Sequence, residues 1–233
     1  MLVSLLTLYY FWAVIDVRIS TKSATTNQIL STVQVEYTIE QNPGGPSQQS
    51  NIVTTDVNGT ASLQVPFPST VHLQANVVGY NVEAVTVNVD WTNPEASQAV
   101  TLSLSPDLDE GEVRLVLNWG KDPQDLDVYA TQGSGHPLEE VCTTYWRNMK
   151  GCTGLNLDVD NTQGGDNGAE TITWNDNSQS KDYVYLLYVH DYTGDNTTLV
   201  ESQARISLYQ KAGNVRMAAP TQDPLGATGK RSR

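Results

Sequence analysis

Histidine, cysteine and phenylalanine are scarce in this chain: three, two and two of 233 residues. With only His72, His136 and His190, acid–base chemistry near neutral pH would rest on carboxylates. Two cysteines without a second pair leave a tetrahedral cysteine zinc site incomplete. Positive charge is also short. Thirteen Lys and Arg face 26 Asp and Glu, for a net charge of −13 and a pI near 4.4. Such a surface repels phosphate backbones and anionic lipid heads. That argues against nucleic acid and leaves cations, neutral sugars and other proteins as partners. There is no phosphate-binding loop and no dinucleotide fingerprint. Helical periodicity of useful length is absent.

One long apolar run occurs, residues 1–15, MLVSLLTLYYFWAVI, followed at once by Asp16 and Arg18. It falls short of the ~20 residues that span a bilayer as a helix. It reads either as a signal peptide, though without a basic start or a small-x-small cleavage site, or as a strand extension. Residues 1–12 are set apart on that ground, and no membrane insertion is expected of the domains that follow.

What the chain has in quantity is period-two alternation. Val33-Gln-Val35-Glu-Tyr37 and Val85-Thr-Val87-Asn-Val89 put apolar side chains on one face of an extended backbone. Seven short strands are expected between residues 13 and 106, at 14–19, 32–39, 51–55, 61–65, 71–78, 82–89 and 99–105. Turn signals separate them, among them Asn42-Pro-Gly-Gly-Pro46, Asp56-Val-Asn-Gly59, Pro66-Phe-Pro68 and Gly79-Tyr80. This spacing predicts an antiparallel sandwich. The residues Thr55-Asp56-Val57-Asn58-Gly59, the prolines at 66 and 68 and the later Gly79-Tyr80 resemble the carboxypeptidase regulatory-like, transthyretin-like domain. That resemblance implies a non-catalytic accessory or scaffold module.

The acidic stretch 104–112, LSPDLDEGE, reads as a linker. A second domain follows over residues 107–220, with strands expected at 113–119, 126–130, 141–146, 155–159, 170–174, 182–190, 205–209 and 214–218. Lys211-Ala-Gly-Asn214 reads as a hairpin turn. Trp119 followed by Pro123 and Asp125-Leu-Asp127, the Asp-rich glycine loop leading to Glu170-Thr171, and Val189-His-Asp-Tyr-Thr-Gly194 together resemble YfaP-like β-sandwich domains. That group implies a secreted or surface location and no established chemistry. The whole is therefore expected to be all-β, two tandem antiparallel sandwiches of immunoglobulin- or transthyretin-like type, with a basic-ended tail over 221–233.

Cys142 and Cys152 flank TTYWRNMKG. In an extracellular chain they would form a disulfide; two unconnected buried thiols are the other reading. Asn58-Gly-Thr and Asn196-Thr-Thr are glycosylation sequons in expected turns. His136-Pro-Leu-Glu139 has the H-x-x-E zinc spacing, with His190 as a third ligand. Pro137 inside the motif and the lack of a large α/β catalytic domain make coincidence the better reading.

Two Asp-x-Asp pairs sit beside loops, Asp125/Asp127 and Asp158/Asp160, with Asp166 in the glycine loop. The bland account is a solvated outer face. The sharper one brings both pairs to one end of the sandwich, where repelling carboxylates would be relieved by a cation. All-oxygen ligands suit calcium, although no EF-hand spacing is present. Among the aromatics, Trp119 and Trp174 are expected in the core, while Trp91, Tyr145 and Trp146 lie near turns. Tyr145-Trp146, inside the cysteine loop, is the best candidate for contact with a glycan or a partner protein. These features point to a secreted or cell-surface, non-enzymatic structural or adhesive protein, self-associating as a filament or matrix subunit. The alternatives are a calcium-dependent carbohydrate-binding accessory module and a secreted hydrolase fragment.

Overall fold

The structure is a computed structural model; it describes residues 14–41, 50–89, 99–134, 139–175, 183–194, 201–211 and 216–218. The apolar start 1–12, Asn196, His136, Trp91, most of the 211–214 turn and the tail 221–233 lie outside them.

Among the described residues, fifteen strands follow in chain order: β1 Val14–Ser23, β2 Gln34–Gln41, β3 Asn51–Thr54, β4 Thr60–Pro66, β5 Ser69–Ala75, β6 Glu83–Val89, β7 Ala99–Leu104, β8 Glu112–Asn118, β9 Leu126–Ser134, β10 Glu139–Thr144, β11 Leu155–Val159, β12 Glu170–Asn175, β13 Tyr183–Asp191, β14 Arg205–Gln210 and β15 Arg216–Ala218. They form four sheets, ordered β4-β1-β7, β3-β2-β5-β6, β10-β9-β13 and β11-β12-β8-β14-β15. The protein is all-β, as the alternation predicts.

The first two sheets close over one core. Val17 and Ile19 of β1, Leu63 and Val65 of β4, and Leu102 and Leu104 of β7 meet Val35, Val71, Leu73 and Val87 of the facing sheet. The last two sheets close over another, in which Leu115, Leu117, Leu155, Leu157, Ile172 and Trp174 face Leu126, Val128 and Ala130. Burial of every second residue explains both cores. Trp119 and Trp174 are buried, 6% and 5% exposed.

Two expectations are corrected. The sandwiches are not wholly antiparallel: β1 pairs with β7 in parallel, Arg18 opposite Ala99 through Ser23 opposite Leu104. The two strands are 81 positions apart in sequence at Ser20 and Thr101, whose hydroxyls bond at 2.8 Å. Nothing in local pattern fixes the direction of so distant a pairing. Nor is 104–112 a free linker. Leu108 is buried with Ala24, Val116, Ala169 and Tyr209 in a third apolar cluster between the sandwiches.

That cluster belongs to a broad seam. The outer face of the five-stranded sheet, which alternation alone reads as solvated, packs on the first sandwich. Asn27 Nδ2 donates to the Ala169 carbonyl at 3.1 Å, and the Ala169 N–H donates back to Asn27 Oδ1 at 3.0 Å. Thr171 Oγ1 donates to the Ala24 carbonyl at 2.6 Å. Glu83, 2% exposed, takes the Tyr209 hydroxyl at 2.5 Å and pairs with Arg205. Gly168 is required here: its φ is +135°, and a Cβ would come within 2.2 Å of Asn27 Oδ1.

Candidate metal centre

Carboxylates converge at one end of the second sandwich, where the 119–125, 160–168 and 191–194 segments meet. Backbone bonds hold these segments together. Gly164 N donates to the Gln124 carbonyl at 2.6 Å, Gly165 N to the Gly120 carbonyl at 3.0 Å, and Tyr192 N to the Asp125 carbonyl at 3.1 Å. Asn161 ties the glycine loop from within, donating through Nδ2 to the Gly164 and Gly168 carbonyls at 3.0 and 3.1 Å. Gly165 sits against Trp119, where a Cβ would lie 2.0 Å from the Trp119 carbonyl oxygen. The loop glycines thus permit close backbone contact as well as turning.

Strand β12 brings the decisive residue. Glu170 stands opposite Leu117, and Ile172 opposite Leu115, so Glu170 shares the inner face with Ile172 and Trp174. It is fully buried. Its Oε2 accepts the Val128 N–H from the opposite sheet. Its Oε1 meets no N–H or hydroxyl, and the group beside it is the Asp160 carboxyl.

Strand β11 contributes Asp160 through an irregularity. Leu157 pairs with Ile172, yet Val159 pairs with Thr171, so one extra residue interrupts the register. Strict alternation would place Asp158 and Asp160 on one face. The bulge separates them. Asp158 stays outside, accepting from Thr173 Oγ1 at 2.5 Å, while Thr173 accepts from Arg114 Nε at 2.9 Å. Asp160 comes level with Glu170.

Strand β9 supplies Asp127, 2% exposed, with Asp125 at its mouth. Oxygens of Asp127, Asp160 and Glu170 lie within 4.8 Å of one another. Asp125 Oδ1 and Asp127 Oδ2 are buried without hydrogen bonds. The facing side chain is the His190 imidazole, its Nδ1 3.9 Å from Asp127 Oδ2 and itself 56% exposed.

The electrostatics follow. Burial pushes the Asp127 carboxyl up to about 7, aided by Asp125 and Asp160. Burial pushes Glu170 up to about 10; the Val128 N–H opposes this, and the neighbouring aspartates reinforce it. Asp125 and Asp160 are raised by burial too.

Of the five aspartates named from the sequence, the structure brings Asp125, Asp127 and Asp160 together. Asp158 is kept apart by the bulge. Asp166 turns to the seam, where Lys121 and Lys22 lower its burial-raised carboxyl and Thr101 bonds its carbonyl at 3.0 Å. Glu170 was not among the candidates. Its signal was present: a carboxylate in phase with Ile172 and Trp174 on a core strand.

The other candidates fall as follows. Cys142 and Cys152 form a disulfide. Asn58 is exposed in the turn that ends at Gly59. Tyr145 and Trp146 are half-buried in an aromatic group. Tyr129 stacks between Tyr145 and Tyr188 at 5.1 and 4.7 Å, Trp146 meets Tyr192 edge-on at 5.5 Å, and Arg147 lies over the Trp146 ring at 4.4 Å.

Fold and site together define a class: an all-β protein of two packed sandwiches with a carboxylate centre at the end of the second. No protein-family model matches the chain, and no curated protein matches it. Two solved structures show a distant likeness. The full-length major pilin SpaD from Corynebacterium diphtheriae is 11% identical, with 85% of this chain covering 61% of the pilin at a TM-score of 0.34. A "putative adhesin" from Bacteroides ovatus is 11% identical, with 89% of this chain covering 82% of that one at a TM-score of 0.24. Overlaps this loose carry no weight for function.

Proposed function

We propose that the protein is a secreted or cell-surface structural or adhesive protein without enzymatic activity. The observation that supports this most is the seam. The pair of buried Glu83 with half-buried Arg205, the Tyr209 hydroxyl and the two-way Asn27–Ala169 bonding lock two sandwiches into one stiff unit. Stiff tandem sandwiches suit a load-bearing surface protein, and a disulfide suits an oxidising exterior. Among the described residues, the carboxylate centre joins four acids with an exposed imidazole and includes no serine or cysteine. The partner is a further copy of this chain or another extracellular protein. Strand β13 ends the described three-stranded sheet and exposes Leu186 and Tyr188, 51% and 42%. A strand of that kind accepts another strand at its edge. Electron microscopy and sedimentation velocity of the purified protein test the assembly: filaments or large oligomers are expected, and monodisperse monomers at all concentrations would reject it.

A second reading, a calcium-dependent carbohydrate-binding module, is favoured by one observation. The Tyr129–Tyr145–Tyr188 stack with Trp146 lies beside the carboxylate centre, Tyr129 meeting His190 edge-on at 6.2 Å. Sugars pack their C–H faces on such rings. Glycan-array binding lost on Trp146→Ala, with the fold intact, distinguishes this reading from the first.

A further inference from the structure

The fully buried Glu170 is the informative member of the carboxylate centre. An oxygen in that position should meet a donor, because a buried acceptor left alone has lost its water and gained nothing in exchange. Oε2 meets the Val128 N–H. Oε1 meets no N–H or hydroxyl; its neighbour is the Asp160 carboxyl, with which it shares a hydrogen bond only when a proton lies between the two. Asp127 Oδ2 is also buried without a hydrogen bond, the His190 Nδ1 standing 3.9 Å away. Acceptors facing one another need a proton or a cation between them.

A shared proton bridges two oxygens at a time, whereas one cation can bridge three. Calcium–oxygen bonds of about 2.3–2.6 Å place ligands across the ion up to about 5 Å apart. The oxygens of Asp127, Asp160 and Glu170 span no more than 4.8 Å, so one ion reaches all three. We infer that Asp127, Asp160 and Glu170, with Asp125 at the rim, form a binding site for a single calcium ion. The donor set is hard oxygen throughout, which suits calcium better than a transition metal. Both cysteines are engaged in their disulfide.

The site reaches beyond its own sandwich. Asp160 leads directly into the glycine loop, and that loop carries the Asn167 and Asp166 carbonyls that receive Lys22 Nζ at 2.6 Å and Thr101 Oγ1 at 3.0 Å. Glu170 follows Ala169, the partner of Asn27. An ion fixing Asp160 and Glu170 therefore fixes both ends of the segment that meets the first sandwich. Calcium stiffens the seam as well as the site.

The test uses the full chain stripped with EDTA. Calorimetric titration with calcium chloride is expected to show one site. Calcium at about a hundredfold excess over its dissociation constant should raise the melting temperature by about 5–10 °C. Asp160→Asn, at an exposed position, should fold and lose the response. Glu170→Gln should lose it too, and Asp158→Asn should keep it. If Glu170→Gln fails to fold, Asp160→Asn alone decides. An unresponsive wild-type protein, an Asp160→Asn protein that responds like wild type, or a response to magnesium or zinc and not to calcium would each overturn the assignment.

Discussion

Each sandwich carries an acidic corner, and the two are opposites. In the first, Asp56 sits in an exposed turn and is saturated with donors. It accepts from the Asn58 and Thr60 N–H groups, both at 2.9 Å, and from Thr60 Oγ1 at 3.1 Å. The Thr60 N–H leads in holding its carboxyl below the usual range. In the second, Glu170 and Asp127 are buried and short of donors, and their carboxyls are pushed up. The first corner is a finished turn. The second is short of donors, and the calcium ion proposed above would complete it. Counting donors, and not counting aspartates, tells the two apart.

The seam joins these corners, and breaking it should have the largest effect. Glu83→Ala leaves the half-buried Arg205 guanidinium and the buried Tyr209 hydroxyl without their partner. A loss of about 3–5 kcal/mol in denaturant unfolding is expected, and a loss under 1 kcal/mol would mean that the two sandwiches do not rely on this pair. Cys142→Ser with Cys152→Ser opens a short loop in the second sandwich alone. About 2–3 kcal/mol should disappear, measured against the same variant in reducing buffer, where no further loss should follow. Asn27→Ala removes both bonds to Ala169 at a cost of about 1–2 kcal/mol, with faster amide exchange at Ala169 as the readout.

Acidity sharpens the comparison further. In EDTA, Asp127 and Glu170 bind their protons more tightly folded than unfolded. Their contribution is therefore complete below the ordinary carboxylate range and is lost as pH rises through about 7 and then about 10. Asp56 has the reverse sign: its contribution is present above the ordinary aspartate value and is lost as pH falls through its lowered folded one. Melting curves from pH 4 to 9 should decline toward alkaline pH in wild type. In Glu170→Gln that decline should be shallower. The smallest effect is expected from Asp56→Asn, a slight fall in melting temperature at neutral pH that vanishes in acid. Equal pH profiles for the two variants would erase the distinction between the corners.

Much of the fold was legible because strands announce themselves locally. Leu155 and Leu157, or Val85 and Val87, alternate with polar neighbours, and that period needs no tertiary knowledge. The pairing of Cys142 with Cys152 was open to a short separation along the chain. The centre was only half legible. Asp125 and Asp127 could be read from their spacing, since no bulge intervenes. Asp158 and Asp160 could not, because a one-residue bulge turns Asp160 alone to the side of Glu170 and leaves Asp158 outside.

The sequence by itself determined that apolar residues at every second position would build sheets, where most strands begin and end, and that carboxylates would outnumber cations. Only tertiary structure decided the parallel partnership of β1 with β7, the burial of an outer sheet face beneath the first sandwich, and the meeting of Glu170 with Asp127 and Asp160. The reason is one of range. Alternation acts between neighbouring residues. Register, seam and site depend on contacts between segments far apart in the chain, whose energies no local pattern contains.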